Sequence, residues 1–255
     1  MHLDTEHFIL KIAEDEADRL AAERLRYEVF VAELGGDGPL VDHTGRFERD
    51  AFDPVFDHLI LIDKRRDQAA LDHVVGVYRV LPGDRGARFY SEDEYDLSVL
   101  TSGGRRLLEL GRSCVHRDYR TGAALHLLWS GIADYTQKRG IEVLFGVASL
   151  HGTNIDQLAA PLSMLHHNHL APKELRVRAQ AEVYQSMELL PPDGIDRVAA
   201  MRAVPALIKS YLKLGGFVGD GAFVDHAFNT TDVCLVIDVD RMPATAKARY
   251  SGGQG

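Results

Sequence analysis

The 255-residue chain has only two cysteines, one tryptophan and no long apolar run. Cys114 and Cys234 stand far apart, with no CxxC partner, each inside an apolar strand-like stretch. Buried reduced thiols are therefore expected rather than a disulfide or a thiolate metal centre, which suits a reducing cytoplasm. No segment approaches the roughly 20 apolar residues that a membrane-spanning helix needs, and the first residues, MHLDTEHF, have neither the basic region nor the apolar core of a secretion signal. The expectation is a soluble protein, with room left for a peripheral membrane contact at the inner face. Basic residues are outnumbered, 29 Lys and Arg against 38 Asp and Glu for a net charge of −9, which argues against nucleic acid as a partner. The hydrolase elbow GxSxG, the zincin HExxH and the P-loop GxxxxGK[ST] are all missing. There is no internal repeat or low-complexity block. With 45% hydrophobic residues the chain can bury a sizeable core, and one domain over residues 1–245 is expected, followed by a flexible tail at 246–255.

What is present alternates between strand and helix patterns, which points to an α/β class. FILKIA (8 to 13) reads as a first strand, and 15 to 34 carries Leu20, Arg24, Tyr27 and Val31 at helical spacing. Residues 35 to 57 are a Gly- and Pro-containing loop that holds Glu48, Asp50, Asp53 and Asp57. HLILI (58 to 62) and VVGVYRVL (74 to 81) suggest adjacent antiparallel strands, and LLELGRSCV (107 to 115) a further one. An amphipathic helix with Leu125, Leu128, Ile132 and Tyr135 on one face follows, stopping near Lys138, Arg139 and Gly140, and then a short apolar strand, VLFGVA (143 to 148). The second half reads as a helix from 154 to 165 ended by HHNH, a strand at 181 to 190, a helix at 198 to 215 interrupted at Pro205, and a closing strand at 234 to 239. A membrane-surface module would require an exposed apolar helix such as Val204 to Leu214.

Several residues carry chemistry. Glu109 and Arg112 share a strand three residues apart, so a regular strand puts them on opposite faces and a bulge near Gly111 would bring them to one cleft. They make either a structural ion pair or a base with a carboxylate-orienting cation. Arg117, Arg120, Thr121 and Gly122 precede a helix, where free backbone N–H groups and a guanidinium suit a phosphate; an ordinary turn capped by Thr121 fits as well. His166, His167 and His169 have no carboxylate or cysteine nearby in sequence, so no metal site is expected. Arg105, Arg106, Arg117, Arg120, Lys138 and Arg139 cluster along the chain and predict a basic patch on an acidic protein.

Taken together, ELGRSCVHRDYRTGAALHLLW resembles the strand, pyrophosphate turn and helix of the GNAT acyltransferases. The turn RTGAA is one residue shorter than the usual Q/R-x-x-G-x-G/A, which argues against a plain acetyl-CoA enzyme. LRYEVFVAELG, FERDAFDPVFDHLIL, VGVYRVLP and ELGRSCV are similar, in order, to the acyl-homoserine-lactone synthases and to the ornithine–acyl carrier protein N-acyltransferases of bacterial ornithine-lipid synthesis. SLHGTN, LSMLHHNHLAP, PALIKSYLKLGG and VDHAFNTTDVCLVID resemble the ornithine-lipid enzymes alone. The resemblance covers roughly residues 5 to 240. It implies a GNAT-like fold, a mostly antiparallel mixed sheet flanked by helices, with a helical insertion at about 154–215. It also implies transfer of a 3-hydroxyacyl chain from acyl carrier protein to the α-amine of L-ornithine, giving lyso-ornithine lipid. The alternatives are a related N-acyltransferase acting on glutamine or another amino-acid-like acceptor, and a non-catalytic GNAT-like binding protein. No permanently bound cofactor is implied; the 3-hydroxyacyl-phosphopantetheine of the carrier is a co-substrate. The positions that match the shared pattern are Arg26, Phe30, Asp50, Asp53, Arg79, Glu109 and Arg112. Glu109, Arg112 and Asp53 are expected to be catalytic, with Glu109 the base, and Arg26, Phe30, Asp50 and Arg79 to bind the amino acid. The backbone at Cys114 and Val115, with Arg117, Arg120, Thr121 and Gly122, is expected to hold the acyl thioester and its phosphate.

Overall fold

The structure, a computed structural model, describes residues 2–86, 88–120, 123–244 and 247. The tail expected at 246–255 falls outside the described residues except for Lys247. In chain order the elements are β1 (His2–Asp4), β2 (Phe8–Ile12), α1 (Glu16–Arg26) running into a π-helical turn (Tyr27–Glu33), β3 (Asp57–Asp63), β4 (Val74–Pro82), β5 (Tyr95–Asp96), α2 (Ser98–Thr101) and β6 (Leu107–Val115). They continue as α3 (Ala123–Arg139), β7 (Val143–His151), α4 (Ile155–His169), β8 (Arg178–Ala179), α5 (Arg197–Ala203), α6 (Ala206–Lys213), β9 (Phe217–Val218), β10 (Phe223–Asp225) and β11 (Thr230–Asp238). The chain divides into two compact units, one holding the residues up to Leu81 with Leu110–Gly140, the other Pro82–Glu109 with Ile141–Lys247.

In the first unit β1, β2, β3 and β4 pair antiparallel in sequence order, and the Leu110–Val115 part of β6 lies beside β4. β3 and β4 are buried almost throughout, which is why they read as continuous apolar runs and not as an alternation: both faces are covered. On one face α1 and the π-helical turn set Ala21, Ala22, Leu25 and Val29 against Ile60, Ile62, Val74, Val77 and Cys114. On the other face α3 approaches so closely that a Cβ on Gly131 would stand 2.8 Å from Leu10, and one on Gly76 2.8 Å from Leu128. Asp15 caps α1 by accepting from the Asp18 N–H at 2.8 Å. The single helix expected over 15 to 34 is α-helical only to Arg26; the wider π turn that follows is a device found often at functional sites.

In the second unit Leu107–Glu109 of β6 runs parallel to Val143–Phe145, and β7 pairs antiparallel with β11 from Val143↔Asp238 to His151↔Thr230. β7 therefore runs past the expected end at Ala148, and β11 starts before Cys234, because each is paired over its whole length. β9 and β10 also pair with β11. The expected helical insertion appears as α4, α5 and α6, with the break at Pro205, and α4 continues through HHNH to His169.

One expectation fails here. The strand at 181 to 190 is absent: Gln185 forms an isolated bridge to Ala222, while the Ser163 hydroxyl donates to Met187 O and accepts from the N–H groups of Leu189 and Leu190, each at 3.0 Å. A side chain has taken the place of a β-ladder. Along Val204 to Leu214 the structure buries Val204, Ile208 and Tyr211 and leaves Leu207, Leu212 and Leu214 partly exposed. No helix among the described residues is long and apolar enough to cross a membrane.

Candidate active site

Five of the residues singled out in sequence meet in the first unit. Arg26, the last residue of α1, and Arg79, on β4, are fully buried; Asp50 and Asp53 come from the loop before β3, and Arg112 from β6. The Arg26 fork holds Asp53 with Nη1 at 2.5 Å from Oδ1 and Nη2 at 3.0 Å from Oδ2, while its Nε donates to Glu48. Arg79 Nη1 bridges Asp50 Oδ1 at 2.6 Å and Asp53 Oδ1 at 2.8 Å. Arg112 reaches Glu48 Oε1 from Nε at 3.2 Å and Asp50 Oδ2 from Nη2 at 3.0 Å. The loop is shaped by the same acids, since Asp50 Oδ1 accepts from Phe52 N and Asp53 Oδ2 from Asp50 N, both at 2.8 Å.

Three guanidiniums thus face three carboxylates. Burial works against the charge on Asp53, yet Arg26 and Arg79 outweigh it and hold the carboxyl well below its usual range. Burial opposes Arg26 too, and Glu48 and Asp53 overcome it. Asp50 is lowered in the same way by Arg79 and Arg112. Asp50 and Asp53, so firmly ionised, are poor proton acceptors near neutral pH, and the cluster's chemical capacity is to hold Arg112, on its more exposed side, in one orientation. Burial, helped by Arg26, brings the neighbouring His58 down to about 4, so it is neutral at pH 7; its Nε2 lies 3.2 Å from the Asp53 carbonyl. Arg112 has φ +47, a left-handed backbone rarely adopted by a non-glycine residue, at the place where a bulge near Gly111 is expected. Phe30, within the π turn, packs partly buried against the hydrophobic core.

Glu109 belongs to the second unit and is buried there. Its carboxylate accepts from Tyr90 N at 2.8 Å, Ser91 N at 2.7 Å and Ser91 Oγ at 2.5 Å. Neither Glu48 nor Ser91 was assigned a role from sequence. Glu48 was visible only as one of four loop acids; nothing local marks Ser91.

The residues expected at the thioester divide. Burial pushes the Cys114 thiol up to about 12, so it offers no thiolate. The Val115 carbonyl accepts from Arg120 Nε at 3.0 Å, and the rest of the Arg120 fork grips Glu33 at 2.6 and 2.8 Å. Arg117 is exposed and pairs with no carboxylate among the described residues, while Thr121 and Gly122 lie outside them. The predicted basic patch is weaker than its sequence suggests, because Arg105 pairs with Asp238, Arg106 with Glu142 and Lys138 with Asp134. Folding also brings to His166 and His167 a carboxylate that is distant in sequence: Glu188 Oε2 is 3.8 Å from His166 Nε2. The Glu188 carboxylate is exposed, and His167 Nε2 already hydrogen-bonds the Leu190 carbonyl at 2.9 Å.

The fold and this site define a class before they define a member. Residues 25–130 match the acetyltransferase (GNAT) domain family, and the mixed fold, with its large, mostly antiparallel sheet flanked by helices, is GNAT-like. FeeM, an N-acyl amino acid synthase from uncultured soil microbes, superimposes with a TM-score of 0.53 at 11% identity, over 95% of this chain and 98% of that one. The CoA-dependent acyl-homoserine lactone synthase BjaI gives 0.50 at 15% identity, over 92% and 80%. These two share the fold. Sequence goes further: the chain is 54% identical to the L-ornithine N(alpha)-acyltransferase of Rhodobacter capsulatus over 95% of its own length and 94% of the relative's, and 38% identical to that of Brucella abortus over 94% and 88%. It belongs to the L-ornithine N(alpha)-acyltransferase family and is an N-acyltransferase.

Proposed function

We propose that the protein transfers a 3-hydroxyacyl chain from the phosphopantetheine thiol of acyl carrier protein to the α-amine of L-ornithine, releasing lyso-ornithine lipid and the free carrier thiol. The observation that carries this reading is the 54% identity over nearly the whole of a relative named L-ornithine N(alpha)-acyltransferase. The α-ammonium first loses a proton; the amine nitrogen then attacks the thioester carbonyl, the tetrahedral oxyanion collapses, the C–S bond breaks and the thiolate is protonated. Glu109 takes the amine's proton. Because Ser91 Oγ donates to it at 2.5 Å, the proton passes along the Ser91 hydroxyl rather than by direct contact. The backbone N–H groups of Cys114 and Val115 hold the oxyanion. Arg112, braced by Glu48 and Asp50, turns toward the reacting groups, while Asp53 and Arg26 serve to position it. Arg117, together with the turn before α3, takes the carrier's phosphate, and Arg120 joins it on leaving Glu33.

The test is direct. Purified protein is given 3-hydroxyacyl carrier protein, or the matching 3-hydroxyacyl-CoA, with L-ornithine, L-lysine, L-glutamine or L-homoserine, and products are read by mass spectrometry. An N-acylornithine formed fastest from the carrier thioester is expected. No N-acyl product from any amine sinks the enzymatic assignment, and preference for the CoA thioester or another amine moves the donor or the acceptor.

A further inference from the structure

Toward its C-terminal end α4 turns three polar side chains to one neighbour. His166 and His167 follow Ser163 by three and four residues, the spacing at which helical side chains share a face, and all three meet the segment 186–190 of the second unit. The buried Ser163 hydroxyl binds Met187 O, Leu189 N and Leu190 N, each at 3.0 Å, and the Ser186 hydroxyl accepts from Glu188 N at 3.1 Å. The backbone on both sides of Glu188 is thereby fixed against α4. Its carboxylate is carried to the imidazoles, with Oε2 3.8 Å from His166 Nε2. The carboxylate that HHNH lacks in its own stretch of sequence is supplied by the fold.

One ligand atom from each of His166, His167 and Glu188 lies within 4.8 Å of the other two. His167 is oriented as metal-binding histidines are. Its Nε2 stands 2.9 Å from the Leu190 carbonyl, which can only accept, so Nε2 carries the proton and Nδ1 keeps its lone pair in the neutral ring. A backbone carbonyl on the second nitrogen is the usual device that fixes the ring and tautomer of a metal ligand. His166 makes no hydrogen bond among the described residues: its Nδ1 is buried without a partner, and 3.8 Å to Glu188 is too long for one. Coordination here breaks no hydrogen bond of either ring.

We infer that His166, His167 and Glu188 form a binding site for a divalent transition ion, zinc above all, which fastens the segment 186–190 to the end of α4. Two imidazoles and a carboxylate suit Zn(II), whereas Mg(II) takes oxygen ligands and water. Bonds of about 2.0–2.2 Å to a tetrahedral ion set its ligand atoms about 3.3 Å apart, so the site closes by roughly 1–2 Å on binding. The Glu188 side chain, 65% exposed, supplies that movement. Three protein ligands leave the fourth position to water. The site shares no residue with the proposed acyl transfer and goes beyond it.

The experiment is calorimetric titration of the full-length protein, without an oligohistidine tag and stripped of metal by a chelator, with Zn(II) and separately with Mg(II). Zn(II) should fill one site per chain with a Kd in the micromolar range or below, and Mg(II) should give no binding heat. His166→Ala and Glu188→Gln should each weaken Zn(II) at least about tenfold. Because the Glu188 side chain is exposed, Glu188→Gln tests the site without disturbing the core. His226→Ala, which removes an exposed histidine outside the cluster, should change nothing. Saturating Zn(II) should also raise the midpoint of thermal unfolding in the wild type and raise it less in Glu188→Gln. Absence of a saturable Zn(II) site, equal binding of Mg(II), or the same loss in His226→Ala as in Glu188→Gln overturns the assignment.

Discussion

Replacing Arg26 with Met removes the cation that two buried carboxylates share. Glu48 would keep the 3.2 Å contact from Arg112, and Asp53 would keep Arg79 Nη1 at 2.8 Å and the Asp50 N–H. Methionine fills similar space, so the cost is electrostatic and not a cavity. Breaking a buried pair by removing one partner typically costs about 3–5 kcal/mol, a large share of the roughly 5–15 kcal/mol that stabilises a domain. The assay is urea unfolding followed by the fluorescence of the single tryptophan, Trp129, which stacks edge-on against Tyr78 on β4. The loss should depend on pH. Asp53 is held below its usual range by Arg26, so it contributes stability above the unfolded carboxylate value of about 4 and loses it as the pH falls through the folded value. The deficit of Arg26→Met should therefore be greatest at pH 6–8 and shrink toward pH 3, and Arg26→Met/Asp53→Leu should be less destabilised than the sum of its single changes. A loss below about 1 kcal/mol at pH 7.5, or a deficit that does not change with pH, would refute the picture of a dry, mutually dependent cluster.

His58 gives a second pH signature: burial takes it from the ordinary 6.5 to about 4, so the stability tied to its neutral form is fully present above pH 6.5 and falls by up to about 3 kcal/mol as the pH drops to 4, a slope that His58→Gln should flatten in urea titrations at stepped pH. Glu109→Gln should lower kcat about 10²–10⁴-fold if the carboxylate receives the amine's proton, and also cost about 1–3 kcal/mol of stability because an amide NH2 cannot accept from the Tyr90 or Ser91 N–H, whereas Ser91→Ala should lower kcat less; full activity in Glu109→Gln would send the base elsewhere. Cys114 and Cys234 are free and buried, and burial raises both thiols, so a thiol-specific chromogenic reagent should titrate none in the native protein at pH 8 and both in denaturant. A fast-reacting thiol in the native state would contradict their packing.

The sequence by itself determined the elements whose burial repeats at short range. β3 and β4 were legible because strands covered on both faces need unbroken apolar runs, and α3 because its buried stripe returns every three to four residues. The chemical residue types were legible for the same reason, since Arg26, Asp50, Asp53, Arg79, Glu109 and Arg112 sit in recognisable local stretches. Partners were not. That Glu48 joins Arg26 to Arg112, that Ser91 clasps Glu109, and that Glu188 meets His166 are contacts across 18 to 64 residues of chain, which no local pattern encodes. The stretch 181 to 190 was misread because its apolar residues look like a strand's, while its backbone is satisfied by one serine hydroxyl from α4. Only the assembled core decides that Glu48, Asp50 and Asp53 of the loop are met by Arg26, Arg79 and Arg112, while Arg24, two residues before Arg26, makes no ion pair among the described residues. Charge recognition depends on what is still unpaired after folding, and pairing is a property of the assembled core.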